Sequence, residues 1–161
     1  MFDTVLIANR GAIATRIQRT LRARDIASVA VYAEADRDAP FVTTTDVAYS
    51  LGEGSAADTY LAIDKLIAIA RESGAQAIHP GYGFLSENEQ FIAACEQAGL
   101  VFLGPTADQI RAFGLKHEAR AIAEDAGVPL VPGSALLDDV DAATAEAARI
   151  GYPVMLKSTA G

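Results

Sequence analysis

Five short apolar runs, separated by turns and by stretches with helical spacing, constrain this 161-residue chain more than any other feature. They are Val5–Ala8, Ser28–Tyr32, Asp46–Leu51, Ala75–Ile78 and Val101–Leu103. Runs of this length with turn residues on both sides read as buried strands. Between them, Ile13, Ile17, Thr20 and Leu21 keep helical spacing to about Arg24, as do Leu61, Ile63, Leu66, Ile67 and Ala70 within 59–73. Phe91, Ile92, Ala94, Cys95 and Ala98 do the same from about Glu87 to Ala98. Asp36-Arg37-Asp38 can cap a short helix. Strand–helix–strand repetition predicts an α/β fold, an open and mainly parallel sheet with helices on both faces. The first turn, Asn9-Arg10-Gly11, has one glycine where a dinucleotide fingerprint needs three. The expectation is a Rossmann-like sheet without nicotinamide chemistry.

The pattern changes near Thr106. Helices are predicted over Ala107–Phe113, Lys116–Ala126 and Asp139–Ile150. Gly127–Pro132, with its two prolines, suits an edge strand, and Val154–Lys157 reads as another strand. We place a domain boundary in the 104–115 region, giving domains of 1–112 and 113–161. Residues 1–104 are expected to form a complete packed α/β unit. The tail after 115 is expected to be incomplete, its strands lacking partners.

Composition narrows the function classes. Hydrophobic residues make up 51% and charged residues 21%, which is globular rather than disordered. The net charge of −8, with basic residues scattered along one helix at Arg16, Arg19, Arg22 and Arg24, gives no footprint for nucleic acid. No apolar run approaches the roughly 20 residues of a membrane span. Met1-Phe2-Asp3 leads straight into a strand without the regions of a signal peptide, so a soluble cytoplasmic protein is expected. Cys95, the one cysteine, lies on an apolar helix face and reads as a buried structural thiol. One cysteine and two histidines cannot build a zinc site or a disulfide.

The chemistry is concentrated in the loop after the fourth run. Residues 79–88 read His-Pro-Gly-Tyr-Gly-Phe-Leu-Ser-Glu-Asn. Pro80, Gly81 and Gly83 continue neither strand nor helix, so the backbone opens there. In a parallel sheet this is the carboxyl end of a strand, where ligands bind. The length exceeds the roughly 2–6 residues a connection needs. A glycine-rich turn with a helix cap is the alternative. Lys157 ends an apolar run before small residues, so it either snorkels to solvent or aims at a phosphate. Lys116 opens a helix, where acids are preferred to cations, and is either a surface lysine or a ligand contact.

These ten residues resemble the HPGYGFLSEN loop of biotin carboxylases. Leu6-Ile7-Ala8-Asn9-Arg10-Gly11 resembles the start of the same family, with Ala12 where glutamate is usual. Gly114-Leu115-Lys116 is similar to its G-x-K element, and Gly151–Lys157 to its G-Y-P-V-x-x-K element. The likeness runs from residue 5 to 161 and covers only the front of such an enzyme. It implies a pre-ATP-grasp Rossmann-like domain followed by the start of an ATP-grasp domain. It implies that Lys116 and Lys157 contact ATP, and that Tyr82, Gly83, Phe84 and Glu87 border the biotin and bicarbonate site, with His79 bracing the loop. Phe113–His117 and Leu156–Gly161 look most like urea carboxylase, including the fused urea amidolyases. The whole enzyme would use ATP to convert bicarbonate to carboxyphosphate, carboxylate biotin on a carrier domain, and pass the carboxyl group to urea, giving allophanate. Magnesium ligands, a bicarbonate-binding arginine and the general base are expected beyond Gly161. Thus no catalytic residue and no metal ligand is assigned within the chain. Another ATP-grasp ligase, an acyl-CoA or pyruvate carboxylase, and a non-catalytic binding or assembly module stay open as alternatives.

Overall fold

A computed structural model describes residues 2–158 of the chain. The chain folds as two compact units, one up to Ala107 and one from Asp108.

The first unit is a five-stranded sheet in the order β3-β2-β1-β4-β5. Its strands are β1 (Thr4–Ile7), β2 (Ala27–Ala33), β3 (Val47–Gly52), β4 (Ala77–His79) and β5 (Val101–Phe102). All four pairings are parallel, with Leu6 opposite both Val29 and Ile78. The helices of this unit are α1 (Gly11–Arg22), α2 (Pro40–Thr43), α3 (Ile63–Glu72) and α4 (Glu89–Gln97). This is the α/β open sheet expected from the run pattern.

Alternation along the strands divides the core between two faces. Val5 and Ile7 pack with Ala14, Ile17, Leu21 and Phe41 from α1 and α2. Leu6 and Ala8 face the other way, into a cluster with Leu66, Ile69, Phe91 and Cys95 from α3 and α4. Cys95 is fully buried, as expected, and burial pushes its thiol up to about 12. The buried polar groups are matched. Gln18 donates to the Phe41 carbonyl, and Asp46 accepts from both the backbone and the hydroxyl of Ser28 at 2.8 and 2.7 Å. Those two bonds hold the Asp46 carboxyl below its ordinary range.

Element boundaries shift where side chains compete with the backbone. The helix expected from Thr59 starts at Ile63, because Thr59 bonds the Ser55 carbonyl at 2.8 Å and turns occupy the preceding residues. The helix expected from Glu87 starts at Glu89, capped by Asn88, whose side chain accepts from the Phe91 N–H at 2.9 Å.

The second unit holds α5 (Ala107–Phe113), α6 (Lys116–Asp125) and α7 (Val140–Ile150), close to expectation. Neither expected strand forms. Gly127–Pro132 and Val154–Lys157 carry no strand, and Val131, Met155 and Leu156 are all more than three-quarters exposed, at 79%, 79% and 84%. A strand exists only where a neighbour supplies N–H and C=O partners. Among the described residues of this unit no such neighbour is present, and none of its residues is fully buried. Among the described residues, no helix is long and apolar enough to cross a membrane.

The packing predicts where stability resides. Phe91 is 0% exposed and meets Phe102 edge-on at 5.9 Å. Phe91→Ala should lower the unfolding free energy by about 3–5 kcal/mol, read from the urea midpoint. A loss below about 1 kcal/mol would show a core loose enough to collapse around the deletion.

Candidate functional site

The sheet order sets the site. From β1 the chain winds outward through β2 and β3, then returns to the other side of β1 with β4 and β5. The winding therefore reverses between β1 and β4. Loops leaving the carboxyl ends of such a strand pair splay apart and leave a crevice. Here those loops are Asn9-Arg10 and the segment after His79.

Asn9 joins the two loops. It is 4% exposed, and its Nδ2 donates to the Pro80 carbonyl at 2.7 Å and the Tyr82 carbonyl at 2.8 Å. Its Oδ1 accepts from the Arg10 N–H at 2.9 Å. Gly81 is required opposite it. Gly81 has φ +67°, and a Cβ there would come within 2.8 Å of Asn9 Nδ2. The Gly81 N–H donates to His79 Nδ1 at 3.0 Å, so His79 braces the loop as an acceptor. Burial holds its pKa below the ordinary imidazole value.

Beyond Gly81 the loop turns outward. Tyr82 is 67% exposed, and Leu85 is buried and anchors the far end. Tyr82, Gly83 and Phe84 line a cleft of about 340 Å³ with Asn9, Arg10, Ala12 and Ile13. Three of the four loop residues proposed from sequence thus share one cavity. Glu87 is exposed and is not among the residues lining it. The sequence marks Asn9 and Arg10 as the first turn and as part of the family-like opening segment, with no role at the site. A polar residue directly after a buried strand, facing a Pro-Gly loop, was the signal that could have found them. Ala12 puts a methyl group on the cleft wall.

A second layer supports the cleft. The Tyr60 and Phe84 rings stack with centroids 5.1 Å apart and planes 8° from parallel, a contact worth about 0.5–1.5 kcal/mol beyond burial. Phe84 lies at φ +44°, a strained setting for a bulky residue that costs on the order of 1–3 kcal/mol. The Tyr60 hydroxyl donates to Asp36 Oδ2 at 2.6 Å and accepts from the Ala33 N–H at 3.0 Å. Burial, followed by the bond to Asp36, raises the Tyr60 pKa. Arg10 pairs with Asp36 Oδ1, and its guanidinium lies 5.8 Å from the Tyr60 ring centroid. The bond to Asp36 raises the Arg10 pKa, so its charge is fixed at any ordinary pH.

In the second unit, Lys116 and Lys157 line one cleft of about 520 Å³, with His117, Arg120, Glu146 and Met155 among its other walls. Glu146 is paired with Arg149 at 2.7 Å, which leaves the cleft an excess of positive charge. Among the described residues neither lysine forms an ion pair, and His117 Nδ1 is a buried nitrogen without a hydrogen-bond partner there. Arg120 and Arg149 donate to the Val131 and Gly133 carbonyls, both at 3.0 Å, and so pin the wall loop. A polyphosphate fits this donor set. The residues expected to follow Lys157 as a phosphate loop, Thr159-Ala160-Gly161, lie outside the described residues. Among the described residues, no group of three or more His, Cys, Asp or Glu side chains is placed to hold a metal ion.

Comparison with known proteins gives the same division of the chain. Residues 1–110 match the family model "Biotin carboxylase, N-terminal domain", and residues 116–161 match "Carbamoyl-phosphate synthase L chain, ATP binding domain". Urea amidolyase of Saccharomyces cerevisiae is 56% identical over 161 residues, all of this chain and 9% of that protein. Biotin carboxylase 2 of Bacillus subtilis is 52% identical over 162 residues, covering 100% of this chain and 36% of that protein. The biotin carboxylase domain of Hydrogenobacter thermophilus 2-oxoglutarate carboxylase, solved with MgADP, ADP and bicarbonate, superimposes with a TM-score of 0.89 at 46% identity. That match covers 100% of this chain and 36% of the other. The chain therefore spans about a tenth to a third of the length of these relatives.

His79 gives a pH signature. Its folded pKa is depressed below the unfolded value of about 6.5, so the unfolded chain binds the extra proton. This contribution to stability is complete above about pH 6.5 and is lost as the pH falls through the folded pKa. Urea midpoints at pH 7.5 and 5.5 should differ less for His79→Asn than for the wild type. An unchanged difference would mean that His79 is solvated rather than bonded to Gly81.

Proposed function

The chain belongs to the biotin carboxylase family, and we propose that it is the front part of a biotin-dependent urea carboxylase. In that reading ATP and bicarbonate carboxylate biotin, and the carboxyl group passes to urea to give allophanate. The observation that carries it is the cleft that Lys116 and Lys157, drawn from opposite ends of the second unit, both line. Two ammonium groups so placed bind phosphate oxygens and neutralise charge as it develops on them. Arg120 contributes a further positive charge to the same wall.

Residues 1–112 serve in this proposal as the amino-terminal domain and residues 113–161 as the start of the ATP-grasp domain. The first unit supplies the switch-point cleft. Its Tyr82–Phe84 wall borders the site where biotin and bicarbonate meet, and Glu87, outside that cleft, is assigned to the same border by the family resemblance alone. Biotin, delivered by a carrier domain of the parent enzyme, supplies the ureido nitrogen that takes the carboxyl group. In this proposal the magnesium ligands come from the rest of the parent. The choice of urea as acceptor rests on the 56% identity to urea amidolyase. The same reading puts the enzyme in the cytoplasm.

In the full-length protein, Lys116→Ala and Lys157→Ala should each weaken ATP use by on the order of 1.5–3 kcal/mol, the value of a charged hydrogen bond. Steady-state kinetics that leave the ATP KM and kcat unchanged for both would make them ordinary surface lysines. The parent should consume ATP faster with urea than with acetyl-CoA, propionyl-CoA or pyruvate. Preference for one of those would remove urea while leaving biotin carboxylation in place. The 161 residues on their own should release no phosphate from ATP in a bicarbonate-dependent way.

A further inference from the structure

Resting on that reading, we propose that Tyr60, Asp36 and Arg10 are positioning residues that hold Phe84, and through it the Tyr82–Phe84 wall, in the geometry that receives biotin. Tyr60 and Asp36 do not line the switch-point cleft, whereas Arg10 and Phe84 do. The network thus joins the sheet behind the cleft to the wall in front of it.

The argument starts from Phe84. A bulky residue at φ +44° stays there only if its surroundings over-determine it. Its ring lies flat on Tyr60, so the direction of Tyr60 decides the direction of Phe84. Tyr60 is 4% exposed, and its hydroxyl is held at both lone-pair and proton sides, by the Ala33 N–H and by Asp36 Oδ2. Asp36 is held in turn by Arg10 through its other oxygen. The members come from the carboxyl ends of β1 and β2 and from the turn before α3, three separate places in the chain. An aromatic stack alone would leave Tyr60 free to tilt. The hydroxyl locks it, and Asp36 ties that lock to the position of Arg10 on the cleft wall. Gly83, between Tyr82 and Phe84, is itself at φ +67°, so the exposed Tyr82 inherits its direction from the fixed Phe84 on one side and from Asn9 on the other.

The test uses the full-length protein. Tyr60→Phe keeps the ring and deletes the hydroxyl, and Asp36→Asn keeps the size and removes the charge. Both should raise the KM for free biotin by about five- to tenfold while leaving the ATP KM within about twofold. Amide exchange over residues 82–86 should quicken in both. Ile17→Val, a core change in α1 in the packing layer on the other face of the sheet from Tyr60, serves as the stability control and should leave the biotin KM alone. If the control moves the biotin KM as far as Tyr60→Phe does, or if Tyr60→Phe leaves both the biotin KM and the exchange of 82–86 unchanged, the positioning role is refuted. If the wild type shows no biotin-dependent ATP consumption, the carboxylase reading falls, and the exchange measurement then decides the positioning of the loop by itself.

Discussion

Strand β1 is paired on both sides by parallel neighbours, β2 and β4, and the rest of the first unit depends on that placement. A strand so enclosed has no edge, and both its faces must be apolar. Val5, Leu6 and Ile7 are each at most 1% exposed, with alternate side chains feeding opposite helix layers. The same placement makes the carboxyl end of β1 the point where the sheet's winding reverses. Asn9 emerges there, directly beside the end of β4, and the Ala8 N–H still bonds the His79 carbonyl at 2.9 Å. The candidate site is therefore a consequence of strand order before it is a consequence of any polar side chain.

The polar groups around the cleft follow from the cost of leaving backbone groups unpaired. The Pro80 and Tyr82 carbonyls face inward with no strand N–H to donate to them, and each such orphan would cost about 1–3 kcal/mol. One carboxamide satisfies both. Its nearness to Gly81 leaves no room for a Cβ, which explains the glycine independently of its positive φ. The Tyr60, Asp36 and Arg10 network performs the corresponding task for Phe84. The two layers differ in kind: Asn9 fixes backbone, and Tyr60 fixes a ring.

The second unit is built differently. Its helices are set by local signals such as the Asp139 side chain, which caps α7 at the Ala142 N–H at 2.7 Å. Its ion pairs are short-range and exposed, as in Arg111 with Asp108 and Arg149 with Glu146. Exposed pairs of this sort are screened by solvent and contribute little. With no fully buried side chain among its described residues, this unit draws its order from helix propensity, caps and arginine-to-carbonyl bonds. Its apolar residues, Val131, Met155 and Leu156 foremost, remain open to solvent.

The sequence by itself determined the local matters. Apolar spacing located α1, α3, α4 and the three helices of the second unit to within a few residues but not α2, the five runs located the strands of the sheet, and the Pro-Gly-Tyr-Gly stretch located the loop that opens at the site. These are properties of residues near one another in the chain, where periodicity and steric limits act directly. Tertiary structure decided the rest. It left Gly127–Pro132 and Val154–Lys157 without strand partners, although their composition suits strands, because pairing is a relation between segments. It brought Asn9 to Pro80 and Tyr82, more than seventy positions away, and Arg10, Asp36, Tyr60 and Phe84 into one network. It also brought Lys116 and Lys157 to one cleft while leaving Glu87 outside the other. No spacing rule encodes such encounters. Strand order and helix packing create them, and those follow from the whole chain burying its apolar faces at once.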